Sequence, residues 1–310
     1  MNPLRGARIS GTGSDLPDKI LSNAELAETL DTSDAWIRER TGIERRHVGG
    51  STATMATNAG RRALDAAGLT GVDIDLVIVA TTSAEQMMPG AAAVVHAELE
   101  IRGGAHDLNA ACSGFVYGLI EADSMIVAGL DHVLVIGSDA LSPWTDWTDR
   151  STAILFGDGA GAVVMSACDE PSLLGWDIGA DGTARHILFT DHNDTIKMDG
   201  REVFRKAVRA VMESAGAAMD NAGVEPEEIT WLIPHQANTR IVDSICEKLG
   251  IDTDKAVMVI AETGNTSAGS VPLALHAAVD DGRIKPGDLL LLAGFGSGMS
   301  WASAVVRWQE

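Results

Sequence analysis

The chain repeats itself at half its own length. "ALDAAGLTGVDIDLVIVATTS" starts at Ala63, and "AMDNAGVEPEEITWLIPHQAN" starts at Ala218. Ala63 aligns with Ala218, Asp65 with Asp220, Ala67 with Ala222, Gly68 with Gly223, Ile74 with Ile229 and Ile78 with Ile233, all without a gap. The offset of 155 is half of the 310 residues. Self-similarity at one fixed period marks a duplicated structural unit. Two copies related by a pseudo-twofold axis are therefore expected, residues 1–170 and 171–310, joined in one compact body. The same offset sets Cys112 opposite Ser267 and Gly114 opposite Gly269, so "ACSG" faces "TSAG". The later stretches "HVLVIGSD" and "DLLLLAGFG" correspond with a shift of two residues.

Each copy reads as α/β. The runs at 75–83, 132–142, 159–167, 230–238, 288–298 and 300–308 are almost continuously apolar. That is the pattern of strands covered on both faces. Helical stretches such as "TATMATNAGRRALDAAG" and "REVFRKAVRAVMESAGAAMDNAG" alternate with them, which argues for layers of helix and sheet. Duplication puts the helices after Cys112 and Ser267 at the centre. The small residues Ser113, Gly114, Gly118, Ala268 and Gly269 are expected to let those two helices approach each other.

Charge and cysteine usage narrow the function. A formal net charge of −21 repels phosphate backbones and anionic lipid, so neither nucleic acid nor a membrane surface is an expected partner. Three widely spaced cysteines, Cys112, Cys168 and Cys246, form neither a disulfide framework nor a zinc motif. The start "MNPLRGARIS" lacks the apolar stretch of a signal peptide. The most apolar segment, 113–130, carries Glu121 and Asp123. A reducing, cytoplasmic setting is expected.

Cys112 lies between an extended run and a helical one, in "LNAACSGFVYGL". A helix beginning just after it offers unpaired N–H groups and a positive dipole end. That would lower the thiol pKa and aim the Cys112 N–H at an oxyanion. His235 closes the strand in "LIPHQAN", where α/β proteins assemble their sites. Asn265 stands two residues before Ser267, so the duplication carries it towards Cys112.

Read together, "DLNAACSGFVYGL", "ILFGDGAGAVV", "IPHQANTRI", "GNTSAGSVPLAL" and "GFGSGMSWASAVVRW" resemble the motifs of the β-ketoacyl-ACP synthase III family. "GTGSDLPDKILSN" and "DTSDAWIRERTGI" extend the resemblance over about residues 8–308. It implies a thiolase-like fold: duplicated βαβαβαββ halves in a five-layer αβαβα arrangement. It implies an acyltransferase that joins an acyl-CoA starter to malonyl-ACP with loss of CO2, through an acyl group on Cys112, to initiate fatty acid synthesis. His235 and Asn265 match the partners of that nucleophile. Asn cannot take a proton, so both are expected to donate hydrogen bonds to one thioester oxygen. The backbone N–H groups of Cys112 and Ser297 are expected to hold the acyl oxyanion. No cofactor or metal is implied, and a homodimer is.

Further positions follow the resemblance. Trp36 matches a tryptophan that stacks on adenine, Arg40 and Arg150 lie near the nucleotide, and Asn238 near the pantetheine arm. Acyl carrier protein is acidic, and Arg201, Arg205 and Arg209 fall on one helix face, with Lys206 beside them and Arg240 nearby by the fold. A local basic stripe on an acidic protein steers an acidic partner to one mouth. Met88 stands where the family often has phenylalanine, at the wall of the acyl pocket of the partner subunit. Arg201 replaces a frequent asparagine, Asn109 replaces a small residue, and Phe295 is retained beside the catalytic groups.

Other signals weigh less. "FGDGAG" (156–161) lacks nucleotide-loop spacing and precedes a strand, which reads as tight packing. The stretch 181–197 reads as a loop over the acyl site. Its His186 and His192 make no metal pair. Cys168 and Cys246 read as structural. The competing functions are a starter-unit ketosynthase or acyltransferase of a polyketide pathway, and a cysteine-nucleophile thioester hydrolase.

Overall fold

The computed structural model describes residues 5–192 and 194–309. Residues 1–4 of the N-terminal stretch, and Asn193 within 181–197, lie outside them. The first sheet has five strands: β1 (Gly6–Asp15), β2 (Leu76–Ala80), β3 (Gly104–Leu108), β4 (His132–Ala140) and β5 (Asp158–Cys168), in the order β1-β5-β4-β2-β3. The second has four: β6 (Leu173–Ala180), β7 (Trp231–Pro234), β8 (Leu289–Gly296) and β9 (Ser300–Arg307), in the order β6-β9-β8-β7. The β2–β4 pair and the β7–β8 pair are both parallel, and the other shared pairs are antiparallel. The place of β3 in the second copy is held by a single parallel bridge, Leu232 to Ala256.

The helices of eight residues or more are α1 (Asp34–Thr41), α2 (Thr52–Ala67), α3 (Ala91–Glu98), α4 (Gly114–Ala128), α5 (Gly200–Ala222), α6 (Thr239–Leu249) and α7 (Ser270–Asp280). Strand periodicity sorts them into layers, because successive side chains point to opposite faces. Val77 and Val79 pack outward on α2 and α3, while Ile78 packs inward on α4. Likewise Leu291 and Ala293 pack outward on α5 and α6, while Leu290 and Leu292 face α4 and α7. The result is five layers, with α4 and α7 buried between the sheets. The repeat extends to the caps: α2 ends at Gly68 and α5 at Gly223, at φ 69° and 66°. Only a residue without a Cβ takes this left-handed turn freely.

The central helix explains the apolar segment. Residues 111–128 are long and apolar enough to cross a membrane. Here Phe115, Val116, Leu119 and Ile126 are fully buried in the core between the sheets.

One expectation about the centre is extended and another corrected. The small residues serve more than helix-to-helix approach: the turns that open the two helices do meet, and small residues also let both helices press on strands. A Cβ on Gly118 would stand 3.0 Å from Val135, one on Gly269 would stand 2.5 Å from the Gly159 carbonyl, and one on Gly114 would stand 3.1 Å from the Ala80 Cβ. Ala268 turns its carbonyl onto Gly137, and Ser113 lies against Gly294. The twin of Cys112 is not Ser267. Ala111 and Ser267 are the left-handed residues of the two turns, at φ 48° and 50°. In each turn an asparagine two residues earlier accepts from that residue's N–H: Asn109 from Ala111 at 3.2 Å and Asn265 from Ser267 at 2.9 Å. The offset therefore grows to 156 after the β2 and β7 strands, because an extra residue enters the loop of the second copy. Cys112 pairs with Ala268, Asn109 with Asn265, and Gly114 with Ser270.

The "FGDGAG" stretch is strand packing as expected. A Cβ on Gly157, Gly159 or Gly161 would clash with neighbouring atoms at 2.4–2.8 Å.

Candidate active site

Cys112 sits on the 3-10 turn Ala111–Ser113 that leads into α4. Its neighbour Ala111 holds a left-handed backbone that costs a β-carbon residue about 1–2 kcal/mol. Such strain persists only where surrounding structure fixes it. Gly296, at the end of β8, supplies part of that fixing: a Cβ there would lie 2.5 Å from the Cys112 nitrogen. The next residue, Ser297, lines a cavity together with Cys112.

The second copy supplies the groups that face the thiol. Ser267 Oγ donates to Cys112 Sγ at 3.3 Å. Asn265, 6% exposed, has its Oδ1 engaged by the Ser267 N–H, which leaves the amide nitrogen to donate into the cavity it lines. His235, 2% exposed, follows β7, and its N–H bonds the Ala293 carbonyl of β8. Its Nδ1 meets Ser270 Oγ at 2.6 Å, and Phe295 packs edge-on with ring centroids 5.2 Å apart. Cys112, His235, Asn265 and Phe295 line one cavity of about 230 Å³.

Electrostatics correct the expectation of a low-pKa thiol. Burial pushes the Cys112 thiol up to about 12, with the Asp139 charge adding to the rise and the Ser267 hydrogen bond pulling it back. Burial likewise pushes His235 down to about 3. Among the described residues no cation acts to lower the thiol, so burial favours a neutral thiol beside a neutral imidazole. Desolvation outweighs the helix end because α4 starts two residues past Cys112, at Gly114.

Two cavities meet at Cys112. The narrow one leads outward past Met198, Val203, Phe204, Asn238 and Ile241 to Trp36 and Arg40. At its mouth the Arg40 and Arg150 guanidinium carbons lie 5.4 Å and 4.9 Å from the Trp36 ring centroid. Asn238 caps α6 by accepting the Arg240 N–H and donates to the Arg40 carbonyl at 3.0 Å. The wide cavity, about 1230 Å³, opens on the other side of the thiol. Leu141, Trp144, Phe156, Leu188 and Ile196 give it an apolar wall, and residues of the 181–197 stretch cover it. Met87 lines it, whereas Met88 is 84% exposed and takes no part in the cavity of its own chain.

The basic stripe is less free than its sequence. Arg205 pairs with Glu202 at 2.5 Å and Arg209 with Glu213 at 2.8 Å. Lys206 turns away to Asp181 at 2.8 Å. Arg240 lies over Phe204, 6.0 Å from its ring centroid, beside the mouth of the narrow cavity.

Three residues of the site escaped sequence reasoning: Ser267 as a donor to the thiol, Ser270 behind His235, and Asp139. Asp139, fully buried, accepts from Thr81, Thr82 and Ser83 and from the Ala268 N–H, so it ties the two halves beside the turn. A carboxylate ending the apolar run "HVLVIGSD" was the available signal. Among the described residues no group of three or more His, Cys, Asp or Glu could hold a metal ion.

A duplicated α/β body whose first half carries a thiol and whose second half carries the donors that face it is a thiolase-fold condensing enzyme. Family models for the 3-oxoacyl-[acyl-carrier-protein] synthase III and its C-terminal part match residues 106–182 and 219–308. The β-ketoacyl-[acyl-carrier-protein] synthase III of Rhizorhabdus wittichii is 46% identical over 98% of this chain and 100% of its own. The crystal structure of the Aquifex aeolicus 3-oxoacyl-[acyl-carrier-protein] synthase III superposes with a TM-score of 0.96 at 44% identity, covering 98% of this chain and 100% of that one. The priming β-ketosynthase of the R1128 polyketide pathway superposes at 0.95 with 35% identity, over 100% and 98%. The chain belongs to the β-ketoacyl-[acyl-carrier-protein] synthase III family.

Proposed function

We propose that this chain condenses an acyl-CoA starter with malonyl-ACP and so initiates fatty acid synthesis. Cys112 Sγ attacks the acyl thioester, its proton leaves with CoA sulfur, and an acyl-Cys112 forms. Malonyl-ACP then loses CO2, and the carbanion attacks the acyl carbon, expelling the Cys112 thiolate to give β-ketoacyl-ACP. The thiol is first acceptor and then leaving group, which makes the order ping-pong.

The observation that carries this reading is the pair of donors beside the thiol. His235 and Asn265 line the Cys112 cavity, and neither is suited to take a proton: asparagine has no basic atom, and burial holds His235 neutral with its value near 3. Two neutral donors fit an enolate oxygen, whose developing charge each stabilises by a few kcal/mol in a dry site. A thioester hydrolase needs a base for water, and neither residue is suited to be one. Backbone N–H groups of Cys112 and Ser297 serve the acyl oxyanion. Trp36, Arg40, Arg150 and Asn238 receive the nucleotide and pantetheine arm. Arg205, Lys206, Arg209 and Arg240 are the docking cations for the carrier protein. A homodimer in which Met88 reaches the partner's acyl cavity fits its exposure, and the setting is cytoplasmic. Relatives at 43–46% identity are named β-ketoacyl-[acyl-carrier-protein] synthase III, against 35% for the polyketide ketosynthase, so the polyketide role is not favoured.

The test uses radiolabelled acyl-CoAs of graded length. Label must reach Cys112 and be lost in Cys112→Ala, and malonyl-ACP must then release CO2. A purified protein that no acyl-CoA labels is not this enzyme.

A further inference from the structure

The two copies differ at one buried pair in a way that bears on His235. Residue 235 corresponds to Ala80 in the first copy, and Ser270 to Gly114. In the first copy these places hold a methyl group and a bare Cα, so close that a Cβ on Gly114 would stand 3.1 Å from the Ala80 Cβ. In the second copy the same facing places hold an imidazole and a hydroxyl, 2.6 Å apart. Ser270 is 0% exposed and His235 2%.

Direction can be assigned from the hydroxyl's other bond. Ser270 Oγ already accepts the Gln236 N–H at 3.3 Å. Among the described residues its own hydrogen has one acceptor, His235 Nδ1. If Nδ1 carried the ring proton, two hydrogens would point at each other or the hydroxyl would be buried without an acceptor, a loss of about 1–3 kcal/mol.

We infer that Ser270 is a positioning residue: its hydroxyl donates to His235 Nδ1 and so places the single imidazole proton on Nε2, aimed at the substrate thioester oxygen. The second ring nitrogen decides what the first can do. With Nδ1 filled from behind, Nε2 is a donor and has no lone pair for the Cys112 proton. The burial that holds the ring neutral keeps that assignment across the working pH range. Ser270 therefore matters to the decarboxylation half of the reaction and not to the acylation half. This consequence rests on the proposed donor role of His235; the proton's position does not.

Two measurements test the inference. Nitrogen NMR of the wild-type protein with ¹⁵N-labelled histidine should show His235 Nε2 protonated and Nδ1 bare. Ser270→Ala should slow CO2 release from malonyl-ACP about tenfold, less than the loss expected for deleting a donor outright. Its KM for malonyl-ACP and its rate of Cys112 acylation by acyl-CoA should each stay within about twofold, since neither depends on the Nε2 proton. Ser270→Thr, which keeps the hydroxyl, should restore most of the CO2 release. A proton found on Nδ1 of the wild-type ring overturns the inference without any variant. So does a Ser270→Ala protein that releases CO2 at full rate, or one that loses both half-reactions equally with no rescue by threonine. An Nε2 proton together with full CO2 release by His235→Ala would instead sink the proposed donor role and leave the tautomer standing.

Discussion

Ser267 Oγ and Cys112 Sγ, 155 residues apart in the chain, meet at 3.3 Å across the pseudo-twofold axis. The hydroxyl is the larger of two influences, the other a backbone hydrogen bond, that pull the thiol pKa down against burial. Removing it in Ser267→Ala should leave the thiol still harder to ionise. Alkylation of Cys112 by iodoacetamide at pH 8 should slow several-fold, since a neutral hydrogen bond is worth about 1 kcal/mol. An unchanged alkylation rate would separate the hydroxyl from thiol activation.

The buried, neutral His235 makes stability pH-dependent with a definite sign. Its folded value lies near 3, below the ordinary 6.5. Its contribution is complete above pH 6.5 and drains away as pH falls towards 3, by about 1.4 kcal/mol per unit. Between pH 6.5 and 4.5 the unfolding free energy of His235→Gln should fall less steeply than that of the wild type. Parallel denaturant curves across that range would contradict the assignment. The same neutrality predicts no ionisation near pH 6.5 in the rate of CO2 release.

Asp123, on α4, carries the opposite sign. Its Oδ1 is buried with no hydrogen-bond partner among the described residues, and burial pushes the carboxyl up to about 6. The folded state thus holds that proton more tightly than the unfolded one. Stability falls as pH rises from 3.8 to about 6, then stays lowered. Asp123→Asn should gain about 1 kcal/mol at pH 8, after allowance for solvent screening of a partly exposed group, and much less at pH 4.5. Thermal melts at both values decide it, and a gain of equal size at each is the failing result.

The proposed docking role sets an order among the basic residues of the stripe. Arg205 and Arg209 are shared with Glu202 and Glu213, and Lys206 with Asp181, whereas Arg240 stands at the mouth without an acidic partner among the described residues. Arg240→Glu should raise KM for malonyl-ACP more than Arg209→Glu does, with acyl-CoA turnover nearly unchanged. The effect should shrink in 0.5 M salt, where screening shortens the reach of charge to about 4 Å. Equal KM values for wild type and Arg240→Glu at low salt would remove Arg240 from the docking surface.

Much of this was legible in the chain because it rests on periodicity. Alternation within β2 and β8 sets which side chains face inward, and the 155-residue repeat sets two copies of one sheet. Cys112, His235 and Asn265 were legible as chemically able residues at the ends of repeated elements. What the sequence could not carry is anything decided by a loop's single extra residue or by desolvation. A one-residue slip moved the twin of Cys112 from Ser267 to Ala268, and it is visible only in the left-handed backbone of Ala111 and Ser267. Gly114 and Gly118 of α4 and Gly269 just before α7 signalled close approach, but only packing shows that they approach strands. Local helix-end logic promised an acidic thiol, and burial reversed it, because taking a charge out of water outweighs a dipole two residues away. Pattern is a property of neighbours in sequence. Protonation and facing pairs such as His235 and Ser270 belong to neighbours in space, and the tertiary structure alone decides those.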